Sequence, residues 1–162
     1  MTVRAQRRCF LPIGIAALCL AGVAAALVSQ HVFDMQPCPW CVLQRLIFVV
    51  IAALALLIAV WPSPVARRVG GGAMLLLAIA GAAAALWQHF VAAASNSCNQ
   101  TLADRIVSGL GLDASLPEIF QARASCADAA VDLWGLPYAF WSLALFVIIV
   151  LAAGRIALRP AR

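Results

Sequence analysis

The chain has 162 residues, of which 65% are hydrophobic and only 10% charged, with a formal net charge of +5. Soluble domains carry about a quarter charged residues, so the composition excludes a soluble enzyme and leaves no sizeable soluble domain for catalysis. All eleven basic residues are arginine, and their placement reports topology; nucleic-acid binding is a poor reading of this charge.

The first apolar run, about 10–28, follows Arg4, Arg7 and Arg8 and ends among alanines, which resembles a signal peptide. It is long for a cleaved segment and further spans follow, so an uncleaved membrane helix is expected. Cys9 and Cys19, at its start and within it, read as small apolar packing residues.

An outer loop of about 29–41 ends in Pro37-Cys38-Pro39-Trp40-Cys41-Val42-Leu43-Gln44-Arg45. Two cysteines at this spacing close into a small disulfide ring, and they exchange electrons when one is held as thiolate. The prolines flanking Cys38 predict a helix that begins near Cys41, whose sulfur then meets the positive helix end. Arg45 lies four residues on, on the same face and about 6 Å along the axis. A zinc site usually needs four ligands and haem attachment a His after the second cysteine, so no metal is expected. A structural disulfide remains the plainer alternative to redox chemistry.

The second span, about 42–61, leads to Arg67 and Arg68, and the third covers about 69–91. The third is rich in Gly and Ala, which permits close helix approach. Near its outer end Gln88 precedes His89. That histidine reads either as an interfacial residue bonded to water or backbone, or as a donor to a carbonyl-bearing ligand between helices.

A loop of about 92–135 follows, with Leu102, Ile106, Val107 and Leu110 at helical spacing, which suggests a short amphipathic helix on the bilayer surface, with a simple solvated loop as the alternative. The fourth span, about 136–153, precedes Arg155, Arg159 and Arg162. Trp40, Trp61, Trp87, Trp134, Tyr138 and Trp141 fall near span ends as an aromatic belt. The expected fold is therefore a single all-α membrane domain, 1–162, built as a four-helix bundle. The arginine-rich segments share one side, which the positive-inside rule makes cytoplasmic, with both termini there. All six acids fall on the other side, as do Cys38, Cys41, Cys98 and Cys126. Four outer cysteines allow three pairings, of which Cys38–Cys41 with Cys98–Cys126 is the economical one.

Cys-Pro-Trp-Cys-Val-Leu-Gln-Arg at the outer end of the second span resembles the signature of the bacterial disulfide bond formation protein B family (DsbB). Ser125-Cys126-Ala127, followed by Trp134-Gly135-Leu136-Pro137 and Trp141, is similar to that family's region around its last essential cysteine. The resemblance implies an inner-membrane enzyme that reoxidises a periplasmic thioredoxin-like oxidase (DsbA-like) and passes the electrons to ubiquinone or menaquinone. It implies that Cys98 forms the mixed disulfide with the partner, that Cys126 is its loop mate, and that Cys38 and Cys41 are the membrane-proximal pair. Cys41 would face the quinone with Arg45 beside the ring, and His89 sits roughly where some members carry a histidine near it. Two rivals are a scaffold whose disulfides only staple its loops, and a vitamin K epoxide reductase-like enzyme. The latter places its active pair near a late span, whereas here it precedes the second.

Overall fold

The architecture is given by a computed structural model that describes residues 3–61, 63–94 and 101–158, with side chains from Phe10 onward. Among the described residues, four helices are long and apolar enough to cross a membrane: Phe10–Val32, Pro39–Val60, Pro64–Ala92 and Tyr138–Leu158. They belong to α1 (Val3–Val32), α2 (Pro39–Val60), α3 (Pro64–Trp87, continued by a π-helical turn over Gln88–Ala92) and α7 (Tyr138–Leu158). α1 packs on α2, α2 on α3 and α3 on α7, with a lighter contact between α1 and α7.

Each helix start has a local cause. α2 begins at Pro39, two residues earlier than the sequence suggested, because proline fits the first helical position, where its missing N–H costs no bond. Cys38 takes the N-cap with extended φ −85° and ψ 167°. α3 begins the same way, with Ser63 Oγ accepting from the Ala66 N–H at 3.0 Å and Pro64 next in line. α1 runs to Val32, past the expected end at 28, because its polar residues are satisfied internally. Ser29 Oγ donates to the Ala25 carbonyl at 2.9 Å, and the Gln30 side chain is buried against other elements.

The core shows why small residues crowd α3. A Cβ at Gly81 would collide with the Phe146 ring of α7. That ring stacks on Phe48 of α2, with centroids 4.1 Å apart and planes 3° from parallel. Gly81 thus lets an aromatic pair fill the bundle centre.

The long loop folds into three short helices, α4 (Leu102–Gly109), α5 (Leu112–Ser115) and α6 (Pro117–Phe120). α4 opens with a capping box, Thr101 and Asp104 each accepting the other's backbone N–H. Ala103 and Val107 are buried, with Val107 against Val42 and Phe120, while Leu102, Ile106 and Leu110 stay exposed as an apolar stripe. A two-residue hairpin then pairs β1 (Asp132–Leu133) with β2 (Leu136–Pro137), Asp132 opposite Pro137. Its turn residues Trp134 and Gly135 have φ of 55° and 79°, the paired left-handed geometry that suits tight hairpins. This hairpin delays α7 to Tyr138, two residues later than expected.

Candidate functional site

The site is assembled where the N-terminus of α2 meets the returning loop. As N-cap, Cys38 accepts the Cys41 N–H at its Sγ, 3.3 Å away. The Cys38 and Cys41 sulfurs stand 2.8 Å apart as free thiols, so the site is described in its dithiol form. The free helix end thus serves Cys38, and Cys41 sits one position before the end of the first turn.

Cys126 is brought in by backbone bonds between segments far apart in sequence. The Arg123 and Ala124 N–H groups donate to the Pro37 carbonyl at 3.0 and 3.3 Å, strapping the loop to the residue before Cys38. Ser125 Oγ accepts the Asp128 N–H at 3.2 Å and so turns the chain at Cys126. Cys38 and Cys126 are both buried and cluster with Ala92, Trp40 and Cys41. Three sulfurs therefore share one pocket of the fold.

The charge divides unequally between Cys38 and Cys126. Hydrogen bonding with the Cys38 thiol, helped by the Trp40 N–H, holds Cys126 below the usual thiol range despite its burial. Hydrogen bonding with Cys126 and then Cys41, together with burial, pushes Cys38 well above that range. Of the two, Cys126 is the more readily ionised and therefore the more nucleophilic sulfur. In the fully reduced protein, iodoacetamide should label Cys126 faster than Cys38, and Cys38→Ala should slow Cys126 labelling at fixed neutral pH. Peptide mass mapping reads both rates; a Cys126 rate that rises on Cys38→Ala would contradict this assignment.

Arg45 is 5% exposed, inside the bundle. Its guanidinium donates to Gln30 Oε1 at 2.7 Å, the Ile119 carbonyl at 3.1 Å and the Ala26 carbonyl at 3.3 Å. It thereby ties α2 to α1 and α6, and Gln30 in turn donates to the Glu118 carbonyl at 3.3 Å. Arg45 acts on Cys41 through its field, without a hydrogen bond among the described residues.

The direct contact on Cys41 comes from a residue the sequence did not single out. Gln88 Nε2 donates to Cys41 Sγ at 3.1 Å, and Gln88 Oε1 accepts from Gln44 Nε2 at 2.7 Å. Its neighbour His89 packs its ring against Phe90 and Phe140, with centroids 4.8 Å away in both cases. A signal for Gln88 did exist: two glutamines in apolar helices, each expensive alone, imply a partner. Cys98 lies outside the described residues. Cys19 is fully buried in the bundle core, the packing position expected of it.

Beside these residues a cavity of ≈ 970 Å³ opens between α1, α2, α7 and the loop after Cys126. Cys41, Arg45, Gln44 and Gln88 line it together with Phe48, Tyr138 and Trp141; His89 is not among its lining residues. A close pair of thiols, a buried cation and an aromatic, largely apolar chamber thus adjoin.

Comparison with known proteins agrees with this geometry. Residues 6–156 match the family described as disulfide bond formation protein DsbB. Disulfide bond formation protein B 1 of Pseudomonas syringae pv. syringae (strain B728a) is 32% identical over 151 residues, covering 90% of this chain and 86% of that protein. Disulfide bond formation protein B of Herminiimonas arsenicoxydans is 31% identical over 147 residues, covering 90% and 91%. That of Polaromonas naphthalenivorans (strain CJ2) is 33% identical over 147 residues, covering 89% and 87%. With likeness running through all four apolar helices and the loops between them, the chain belongs to the disulfide bond formation protein B family, multi-pass inner-membrane proteins with disulfide oxidoreductase activity.

Proposed function

We propose that this protein reoxidises a periplasmic thioredoxin-like dithiol oxidase of the DsbA kind and passes the electrons to membrane quinone, ubiquinone or menaquinone. The observation that carries the reading is the placement of Cys126 against Cys38, with Cys41 beside them on the wall of the cavity. One end of this sulfur chain reaches the loop and the other reaches the bundle interior.

The relay follows from thiol–disulfide exchange. A partner thiolate attacks Cys98 of a Cys98–Cys126 disulfide, and Cys126 leaves as thiolate. The Trp40 N–H is the donor left to the departing Cys126 sulfur at this step, since Cys38 is held in its own disulfide. Cys126 then attacks Cys38 of a Cys38–Cys41 disulfide, and Cys41 leaves as thiolate. The partner's second thiolate resolves the mixed disulfide and frees Cys98, which attacks Cys126 and releases Cys38. In sum the partner dithiol has become a disulfide, and Cys38 and Cys41 hold the two electrons as thiols.

A quinone, when bound, supplies a two-electron acceptor that thiols lack. The cavity fits such a group: its volume lies in the usual ligand range of roughly 300–1,000 Å³, and Phe48, Tyr138 and Trp141 offer flat apolar walls. A guanidinium carries five N–H donors, and three hydrogen bonds to protein leave Arg45 two for a carbonyl oxygen. Cys41 passes the electron pair out and closes again with Cys38. Arg45 orients the acceptor, and the apolar walls keep water from the exchange.

The decisive experiment is anaerobic titration of the purified protein with a reduced thioredoxin-like partner and quinone. One quinone should be reduced per partner dithiol oxidised; partner oxidation without quinone reduction would overturn the reading. Orientation is tested separately. A reporter fused after Arg68 should behave as cytoplasmic and one inserted near Gly111 as periplasmic, since arginines cluster near the first and acids near the second. The opposite pattern would put the cysteines in the reducing compartment and defeat the relay.

A further inference from the structure

Cys41 has two hydrogen-bonding side chains on its sulfur, the Cys38 thiol at 2.8 Å and the Gln88 amide at 3.1 Å. They are not equally durable. Once Cys38 is bonded to Cys126 in the relay, it carries no S–H and contributes no donor. Gln88 then remains as the hydrogen-bonding side chain on Cys41 among the described residues. That is the moment at which Cys41 has just left as an anion in an apolar wall, where an unpaired charge is most costly.

The amide is also held in a set direction. Gln88 Oε1 accepts from Gln44 Nε2 at 2.7 Å, which leaves Nε2 as the end that meets sulfur. Both glutamines are at least nine-tenths buried, at 5% and 4% exposure, so water does not compete for these bonds. Gln88 opens the π-helical turn that ends the third span, and such turns recur at functional sites.

We propose that Gln88 is a catalytic hydrogen-bond donor to the Cys41 thiolate, and that Gln44 is the positioning residue that keeps its amide turned toward the sulfur. The inference deepens the relay proposed above and rests on Cys41 leaving as an anion. Arg45 supplies a field at the same sulfur, whereas Gln88 supplies the bond.

The test uses full-length protein carrying Cys38→Ala, Cys98→Ala and Cys126→Ala, so that Cys41 is the outer-side thiol and Gln88 its donor. Among the described residues, the ionisable groups facing Cys41 are Cys38, Cys126 and Arg45, and of these only Arg45 survives the changes. Iodoacetamide labelling of Cys41, mapped by mass spectrometry, is followed against pH. Gln88→Leu should slow labelling near neutral pH about tenfold, the worth of one hydrogen bond to a charged group. The deficit should close at alkaline pH, where the thiol ionises without help. Gln44→Leu should give a smaller deficit, and the double variant should equal Gln88→Leu alone, because Gln44 acts through Gln88. A deficit that persists at every pH, or additive losses, would overturn the proposal in favour of packing. No partner or quinone enters this assay, so it stands or falls apart from the quinone titration.

Discussion

Cys126→Ala should halt turnover entirely and accumulate a mixed disulfide between Cys98 and the thioredoxin-like partner. The Cys98 thiolate can still attack the disulfide of the oxidised partner, forming the mixed disulfide and releasing one partner thiolate, but no sulfur remains beside Cys38 to carry electrons inward. Cys98→Ala should trap far less, because the remaining loop cysteine is buried against Cys38 and the end of α2. The substitution itself is mild. Alanine keeps the backbone strap from Arg123 and Ala124 to Pro37 and removes one sulfur atom from a buried cluster. Loss of turnover with the fold intact therefore reports chemistry. Non-reducing gels of the membrane fraction give the readout, and equal trapping by both variants would reject this division of labour.

What was legible in the sequence was what local rules encode. Four runs of sufficient length gave four helices, and the Cys-x-x-Cys pair announced itself by spacing. The amphipathic pattern over Leu102–Leu110 gave α4, although the apolar residues divide: Val107 packs inward on Val42 while Leu102, Ile106 and Leu110 remain exposed. The start of α2 was misjudged because two prolines were both read as helix breakers, when the second suits the first helical position.

The pairings that build the site join residues far apart in the chain and have no periodic signature. Gln44 meets Gln88 across two helices, and Arg45 meets Gln30 in a segment that read as loop. Pro37 accepts from Arg123 and Ala124 through backbone alone, so no side-chain type marks the contact. His89 drew attention as the ionisable residue, yet one step along a helix turns a side chain by about 100°. That step separates the ring packed on Phe140 from the amide on Cys41.

Arg45→Gln should show two separable losses, because the guanidinium has two kinds of neighbour. Toward the protein it satisfies Gln30, Ile119 and Ala26. Removing it leaves the buried Gln30 Oε1 without its donor, worth about 1–3 kcal/mol, and cuts the ties to Ile119 and Ala26, so the melting temperature in detergent should fall. Toward the cavity, its remaining N–H groups meet the quinone carbonyl in the proposed function, so the KM for quinone should rise about tenfold, one charge-assisted bond's worth. Arg45→Lys should recover part of each, since an ammonium keeps the charge but lacks the planar fork that spans several acceptors. Gln30→Leu separates the two effects: it cuts one protein tie and leaves the guanidinium in place. Its melting temperature should fall while its KM moves much less than that of Arg45→Gln. If Arg45→Gln melts early yet keeps the quinone KM of the unsubstituted protein, Arg45 is a structural tie between α1, α2 and α6, and the quinone carbonyl has another donor.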